Sequence, residues 1–119
     1  MDIESFRQYC MAKKAVEESF PFDEHNLVFK VMGKIFAILP LDELEAKANL
    51  KALPEWSVEL REKYHQVRPG WHMNKKHWNT VLLEEGLDDD LIVKMIDHSY
   101  ERVVAGFARK MKKEFEKFS

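Results

Sequence analysis

The sequence predicts an α+β fold, an antiparallel β-sheet covered by helices, in one domain over residues 1–119. Three observations predict it. Helical periodicity is strongest near the two ends of the chain, at residues 2–13 and again after Asp88. Strand-like runs fill most of the interval between them, interrupted by a single helical stripe that begins at Pro54. The connections are short. The resulting order, α-β-β-β-α-β-β-α, fits antiparallel neighbours with helices laid on the sheet.

Residues 2–13 form the first helix, with Asp2 or Ser5 as its cap and Ile3, Phe6 and Cys10 on one apolar stripe. Pro21 breaks the chain after it. Leu27 to Met32 and Ile35 to Leu39 are the strands of a hairpin whose two-residue loop is Gly33-Lys34, a type II′ turn with glycine first. Pro40 ends the second strand. Residues 45–51 alternate small or apolar with polar side chains and give a third strand with one wet face, against a helical alternative favoured by Ala, Glu and Lys. Pro54 stands at the first position of a helix in which Trp56, Leu60 and Tyr64 recur four apart and face the core. Two further strands are expected, at Pro69 to Met73 and at Trp78 to Leu83, joined by Asn74 to His77. Asp88, Asp89 and Asp90 mark the start of the last long helix, where carboxylates meet the positive end of the helix dipole. Leu91, Ile92, Met95, Ile96, Val103, Val104 and Phe107 follow at helical spacing, and 108–119 extend it with a thinner stripe of Met111, Phe115 and Phe118.

With 119 residues the chain is long enough for a self-supporting core without disulfides or a structural metal. No apolar run approaches the ~20 residues of a membrane span, and the acidic start Met1-Asp2-Ile3-Glu4 is unlike a signal peptide, so a cytoplasmic monomer is expected. The single cysteine, Cys10, excludes an internal disulfide and a thiolate zinc cluster, and is read as a buried structural thiol beside Ile3, Phe6 and Tyr9. No nucleophile elbow, phosphate-binding loop or dinucleotide fingerprint is present, and the four glycines stand alone. An enzyme is not expected, nor is a cofactor.

The net charge of −2 conceals an uneven distribution. Arg61, Lys63, Arg68, Lys75 and Lys76 face the single acid Glu62 in residues 61–78; a second basic group, Arg109, Lys110, Lys112, Lys113 and Lys117, closes the chain. Acids gather at 42–45 and 84–90, where helix capping and a solvated turn explain them without a cation. His65, His72 and His77 match no standard metal-ligand spacing, and no carboxylate completes the set.

The run Val67-Arg68-Pro69-Gly70-Trp71-His72-Met73-Asn74-Lys75-Lys76-His77-Trp78-Asn79-Thr80-Val81 carries the most information. Its pattern, V-R-P-G-x-H-M-N-K-x-H-W-x-T-V, resembles the MmcQ/YjbR family of small bacterial proteins. The resemblance extends through Tyr9-Cys10, Glu17 to Phe22, the Leu50-Lys51 to Pro54-Glu55 junction and Asp97-His98-Ser99-Tyr100, and so covers essentially the whole chain. It implies a CyaY-like (frataxin-like) α+β fold and a DNA-binding role with a double-wing arrangement; an iron site does not come with the fold.

On the residues themselves, Arg68, Lys75 and Lys76 suit phosphate contacts, His72 and Asn74 can add hydrogen bonds, and Trp71 offers a surface to wedge or stack. Arg61 and Lys63 are expected as a supporting rim. The competing account has Trp78 in the core, Lys75 and Lys76 solvated at a loop tip, and His72, Asn74 and His77 satisfying backbone groups. The expected function is DNA binding without catalysis; the alternative is a protein-interaction or adaptor module using the sheet face or the Trp71 loop. One basic face uniting 61–76 with 109–117 would favour nucleic acid, whereas separated patches around an exposed apolar area would favour a protein. A pocket near His65, His72 and His77 would be needed for small-molecule or metal chemistry.

Overall fold

The computed structural model describes residues 1–70 and 73–118. The elements run α1 (Ile3–Met11), β1 (Val16–Ser19), β2 (Asn26–Val31), β3 (Lys34–Pro40), β4 (Lys47–Lys51), α2 (Pro54–Lys63), β5 (Val67–Pro69), β6 (Trp78–Leu82), α3 (Asp89–Ala105) and α4 (Arg109–Glu116). The strands form one six-stranded sheet in the order β1-β2-β3-β4-β6-β5, with every neighbouring pair antiparallel.

Alternation along each strand sorts its side chains to two faces. Leu27, Phe29 and Val31 of β2, Ala48 and Leu50 of β4, Val67 of β5 and Val81 of β6 share one buried cluster with Phe6 and Cys10 of α1, Leu60 of α2 and Ile92, Met95 and Ile96 of α3. All three helices therefore pack on the same face. Edge-to-face aromatic contacts tie them in, Phe6 on Phe29 at 6.3 Å and Phe36 on Tyr100 at 5.4 Å between centroids. Cys10 lies in this core, where burial pushes its thiol up against a smaller opposing effect of Lys13, one helical turn on. Tyr9 does not join it; it is half exposed.

Several elements differ from expectation, each for a physical reason. β1 is an added strand: Val16-Glu17-Glu18-Ser19 is too short and polar to register as a periodic run, and pairing with β2 makes it one. Arg7 of α1 holds it from the side, donating from Nε and a terminal nitrogen to the two oxygens of Glu18 at 2.7 and 2.6 Å. The hairpin loop is Met32-Gly33 instead of Gly33-Lys34, with positive φ at both residues (51° and 79°), a primed turn of type I′ character. A β-bulge explains the one-residue difference in frame. Phe29 pairs with Ala37 but Lys30 with Ile35, so Phe36 has no partner across the hairpin and turns into the core beside Ala37.

β4 begins at Lys47, two residues after the expected start, and strand wins over helix because it is paired on both sides. β5 spans Val67–Pro69, earlier than Pro69 to Met73, since its register places Val67 opposite Val81. The tail is a separate helix: Gly106 caps α3, and α4 folds back so that Phe115 meets Tyr100 and Phe107. Phe118 is half exposed and contributes little to that stripe.

Caps were mostly legible. Asp2 Oδ1 accepts from the Ser5 amide at 2.7 Å, and Asp88 Oδ1 from that of Asp90 at 2.9 Å. α2 is capped from elsewhere. Its flanking Leu53 has no capping side chain, and its amide donates to His98 Nε2 of α3 at 3.1 Å, with the His98 ring edge-on to Trp56 at 4.5 Å.

That acceptor role requires the neutral imidazole, and burial, then Arg102, lower the His98 pKa against a smaller opposing effect of Glu101. A depressed histidine binds fewer protons folded than unfolded, so its stabilising contribution is full above roughly pH 6.5 and is lost as pH falls through the folded pKa. The urea midpoint of the wild type should fall between pH 7 and 5. The difference between wild type and His98→Gln should narrow over that range; a constant difference would show that His98 keeps its proton-free state in both forms.

Candidate nucleic-acid interface

Antiparallel order brings alternate strand termini together. The starts of β1, β3 and β6 and the ends of β2, β4 and β5 meet at one end of the sheet. Lys34 opens β3 there, Lys51 closes β4, and the β5–β6 connection carrying Lys75 and Lys76 leaves and returns there. Arg102 joins them from α3, sharing a pocket with Lys34 and Lys51, and α4 continues from that point with Arg109, Lys110, Lys112 and Lys113 exposed. Phe118, beyond α4, reaches Val16 and the Met32-Gly33 turn at the same end. The two basic clusters of the sequence are thus joined across one end of the molecule. Carboxylates there include Glu17, Glu55, Glu114 and Glu116.

The opposite end is acidic. The loops after β1, β3 and β6 carry Asp23, Glu24, Asp42, Glu43, Glu45, Glu84 and Glu85, and Asp89 pairs with the N-terminal ammonium at 3.1 Å. The protein is a charge dipole along its strands, which is how a chain of net charge −2 presents a basic surface.

The β5–β6 connection is braced from within. Asn74 Oδ1 accepts from the Lys76 amide at 3.0 Å, and its carbonyl from the amides of His77 and Trp78 at 3.2 and 2.9 Å. Arg61 of α2 donates from Nε to Asn79 Oδ1 at 2.7 Å and from a terminal nitrogen to the carbonyls of Lys75 and Trp78 at 2.5 and 3.0 Å. Asn79 is buried, and its amide nitrogen donates to Ser57 Oγ at 2.9 Å. Burial lowers the Arg61 pKa. The Gly70 amide donates to the Trp78 carbonyl at 2.9 Å, closing the base of the connection.

These contacts revise the expected site. Arg61 is a brace for the connection with its donors turned inward, so its place on a phosphate-contacting rim is corrected. Lys63 is not brought to the loop either: it lies over the Tyr64 ring and lines a groove between α2 and α3 with Lys94. Arg68 is exposed on β5, its Nε 3.4 Å from the His65 carbonyl, and Lys75 and Lys76 are exposed on the connection. Asn74 is spent largely on the turn. Trp71 and His72 lie outside the described residues. Among the described residues no group of three His, Cys, Asp or Glu side chains is placed to hold a metal, and no helix is long and apolar enough to cross a membrane.

The second face of the sheet carries no helix. Cross-strand pairing aligns Ser19, Val28, Ile38, Asn49, Thr80 and Arg68 in one row, one residue per strand. Thr80 Oγ1 donates to Asn49 Oδ1 at 2.6 Å. Over this row lies a cleft of about 430 Å³ whose walls include Phe22, Lys47 and Met73. Near it, at the acidic end, Phe20, Phe22, Leu41 and Leu44 are exposed.

A family model for YjbR matches residues 11–102. This chain belongs to the YjbR family. The YjbR protein of Escherichia coli, described as uncharacterized, is 38 % identical over 104 residues, covering 87 % of this chain and 88 % of that one. The YbdF protein of Escherichia coli is 34 % identical over 110 residues, covering 92 % and 90 %. Among solved structures, a Deinococcus radiodurans protein with a DUF419 domain superposes with a TM-score of 0.88 at 33 % identity, over 96 % of this chain and 87 % of that one. A Pseudomonas syringae protein superposes at 0.75 with 28 % identity, over 86 % and 98 %. The YjbR fold is therefore a helix-covered antiparallel sheet, as its sequence predicts.

Proposed function

We propose that this YjbR protein binds DNA with its basic end, through the β5–β6 connection and without catalysing a reaction. The observation that carries the reading is the convergence of residues 75–76 and 109–113 on one end of the sheet, with Lys34, Lys51 and Arg102 between them. A polyanion would be attracted to that end and repelled from the other, so the dipole orients the encounter. Lys75, Lys76 and Arg68 then contact phosphates from a connection already fixed by Arg61 and Asn74, which reduces the entropy lost on binding.

Fluorescence anisotropy with labelled duplex at about 50 and 200 mM salt tests this. A slope of log K against log salt of roughly −3 to −5 is expected, and Lys75→Ala with Lys76→Ala should flatten it by about 2 while weakening all sequences alike. No binding at the lower salt would overturn the reading. The second reading, a polypeptide partner, is supported by Phe20, Phe22, Leu41 and Leu44, an exposed apolar group beside the cleft at the acidic end.

A further inference from the structure

We propose that Lys34, Lys51 and Arg102 form a pocket for a single phosphate group. The pocket measures about 280 Å³ and is lined by these three cations with Ile35, Val103, Gly106 and Phe107. They come from the start of β3, the end of β4 and the last turn of α3, so only the fold assembles them. Among the described residues no carboxylate lines the pocket, and none of the three cations enters an ion pair, in contrast to Lys13 with Asp97, Arg7 with Glu18 and Lys47 with Glu43. Three like charges beside the apolar surfaces of Ile35, Val103 and Phe107 repel one another, and an anion among them relieves that repulsion in a setting of reduced screening. Arg102 supplies planar donors suited to phosphate oxygens, and the two lysines supply compact charge.

The frame beneath the pocket is rigid. Ser99, one turn before Arg102, donates through Oγ to the Phe36 carbonyl at 2.5 Å and accepts from the Lys51 amide at 2.8 Å. This locks α3 to β3 and β4 at the level of the pocket, so the cations are held together before a ligand arrives. The phosphate is either one of a nucleic-acid backbone or that of a free phosphate ester. The first source rests on the DNA-binding reading; the second does not.

Two arms separate them. In the first, inorganic phosphate is titrated into the ¹⁵N-labelled protein up to about 50 mM at constant ionic strength. Shifts are expected at the Arg102 side-chain Nε and the amides of residues 34–35, 51 and 106–107, and Arg102→Gln should abolish them with its unfolding temperature checked in parallel. Lys34→Gln, on an exposed side chain, provides an independent variant that leaves the fold intact. No shifts in the wild type, or shifts spread evenly over surface lysines, would overturn the proposal. In the second arm, duplex binding is measured for Lys34→Gln with Lys51→Gln while Lys75 and Lys76 are kept. A salt slope flattened by about 2 identifies the phosphate as that of nucleic acid. Unchanged duplex binding together with the phosphate shifts supports the pocket with a free ester as its ligand. Wild-type protein that binds phosphate but no duplex sinks the DNA reading and leaves the pocket standing.

Discussion

Replacing Ser99 with alanine is expected to lower the unfolding free energy by roughly 2–4 kcal/mol, the summed cost of leaving two buried backbone groups without partners. The expectation follows from the bulge in β3. Phe36 stands out of register with β2, and its carbonyl is met by the Ser99 hydroxyl from α3. The same oxygen accepts from the Lys51 amide, where β3 and β4 have stopped pairing beyond Ala37 and Leu50. One fully buried hydroxyl therefore completes the hydrogen bonding of two strands. Alanine removes it and leaves too little room for a replacement water to serve both groups. Urea unfolding of Ser99→Ala should show a lower midpoint at unchanged slope. A loss below about 0.5 kcal/mol would mean that these groups find other partners and that the bulge does not depend on α3.

Gly70→Ala should cost about 1–3 kcal/mol through overpacking, and should also impair whatever the β5–β6 connection binds. A Cβ on residue 70 would stand 3.0 Å from Trp78 Cβ, 3.1 Å from the Trp78 carbonyl oxygen and 3.2 Å from its carbon. Two of these are backbone atoms, so the clash cannot be relieved by turning a side chain. The Trp78 carbonyl also receives the Gly70 amide and the Arg61 guanidinium, so any separation of residues 70 and 78 loosens both. Thermal unfolding and duplex anisotropy on the same sample would separate the two effects. Normal stability with normal binding would refute the close approach. By contrast, Gly33 and Gly86 have nothing within 4 Å of a built Cβ, and their glycines answer to positive φ instead.

What could be read in advance was set by how local the cause was. α3 was legible because its signals lie within the helix: three aspartates at its start, apolar residues at helical spacing behind them. Pro54 marked α2 for the same reason. The Met32-Gly33 turn was misplaced by one residue because its frame depends on the bulge at Phe36, which in turn depends on Ser99, some sixty positions along the chain. β1 was hidden because Glu17 and Glu18 have no intrinsic preference for a strand; pairing with Lys30 and Phe29 imposes it. The site shows the same division. Lys75 and Lys76 were visible as charges. Arg61 was visible as a charge too, yet its work as a brace depends on Asn79 and Ser57, and a polar residue within a short strand gives no sign of facing inward. One clue existed: Asn79 occupies a position where alternation with Val81 asks for an apolar core residue. That the two basic clusters meet could not be read at all before strand order was known, because it follows from which strand ends adjoin.

The margins of the sheet set a condition on any partner. β1 offers four residues, two of them glutamates, and β5 offers three, ending in Pro69, which has no amide hydrogen to give. An incoming strand would find too few main-chain groups at either margin to extend the ladder, and on one side would meet negative charge as well. Whatever docks on this molecule must be recognised by its side chains and by the field around it, so recognition is encoded in residues that single substitutions can test, not in a backbone template that would accept almost any extended chain.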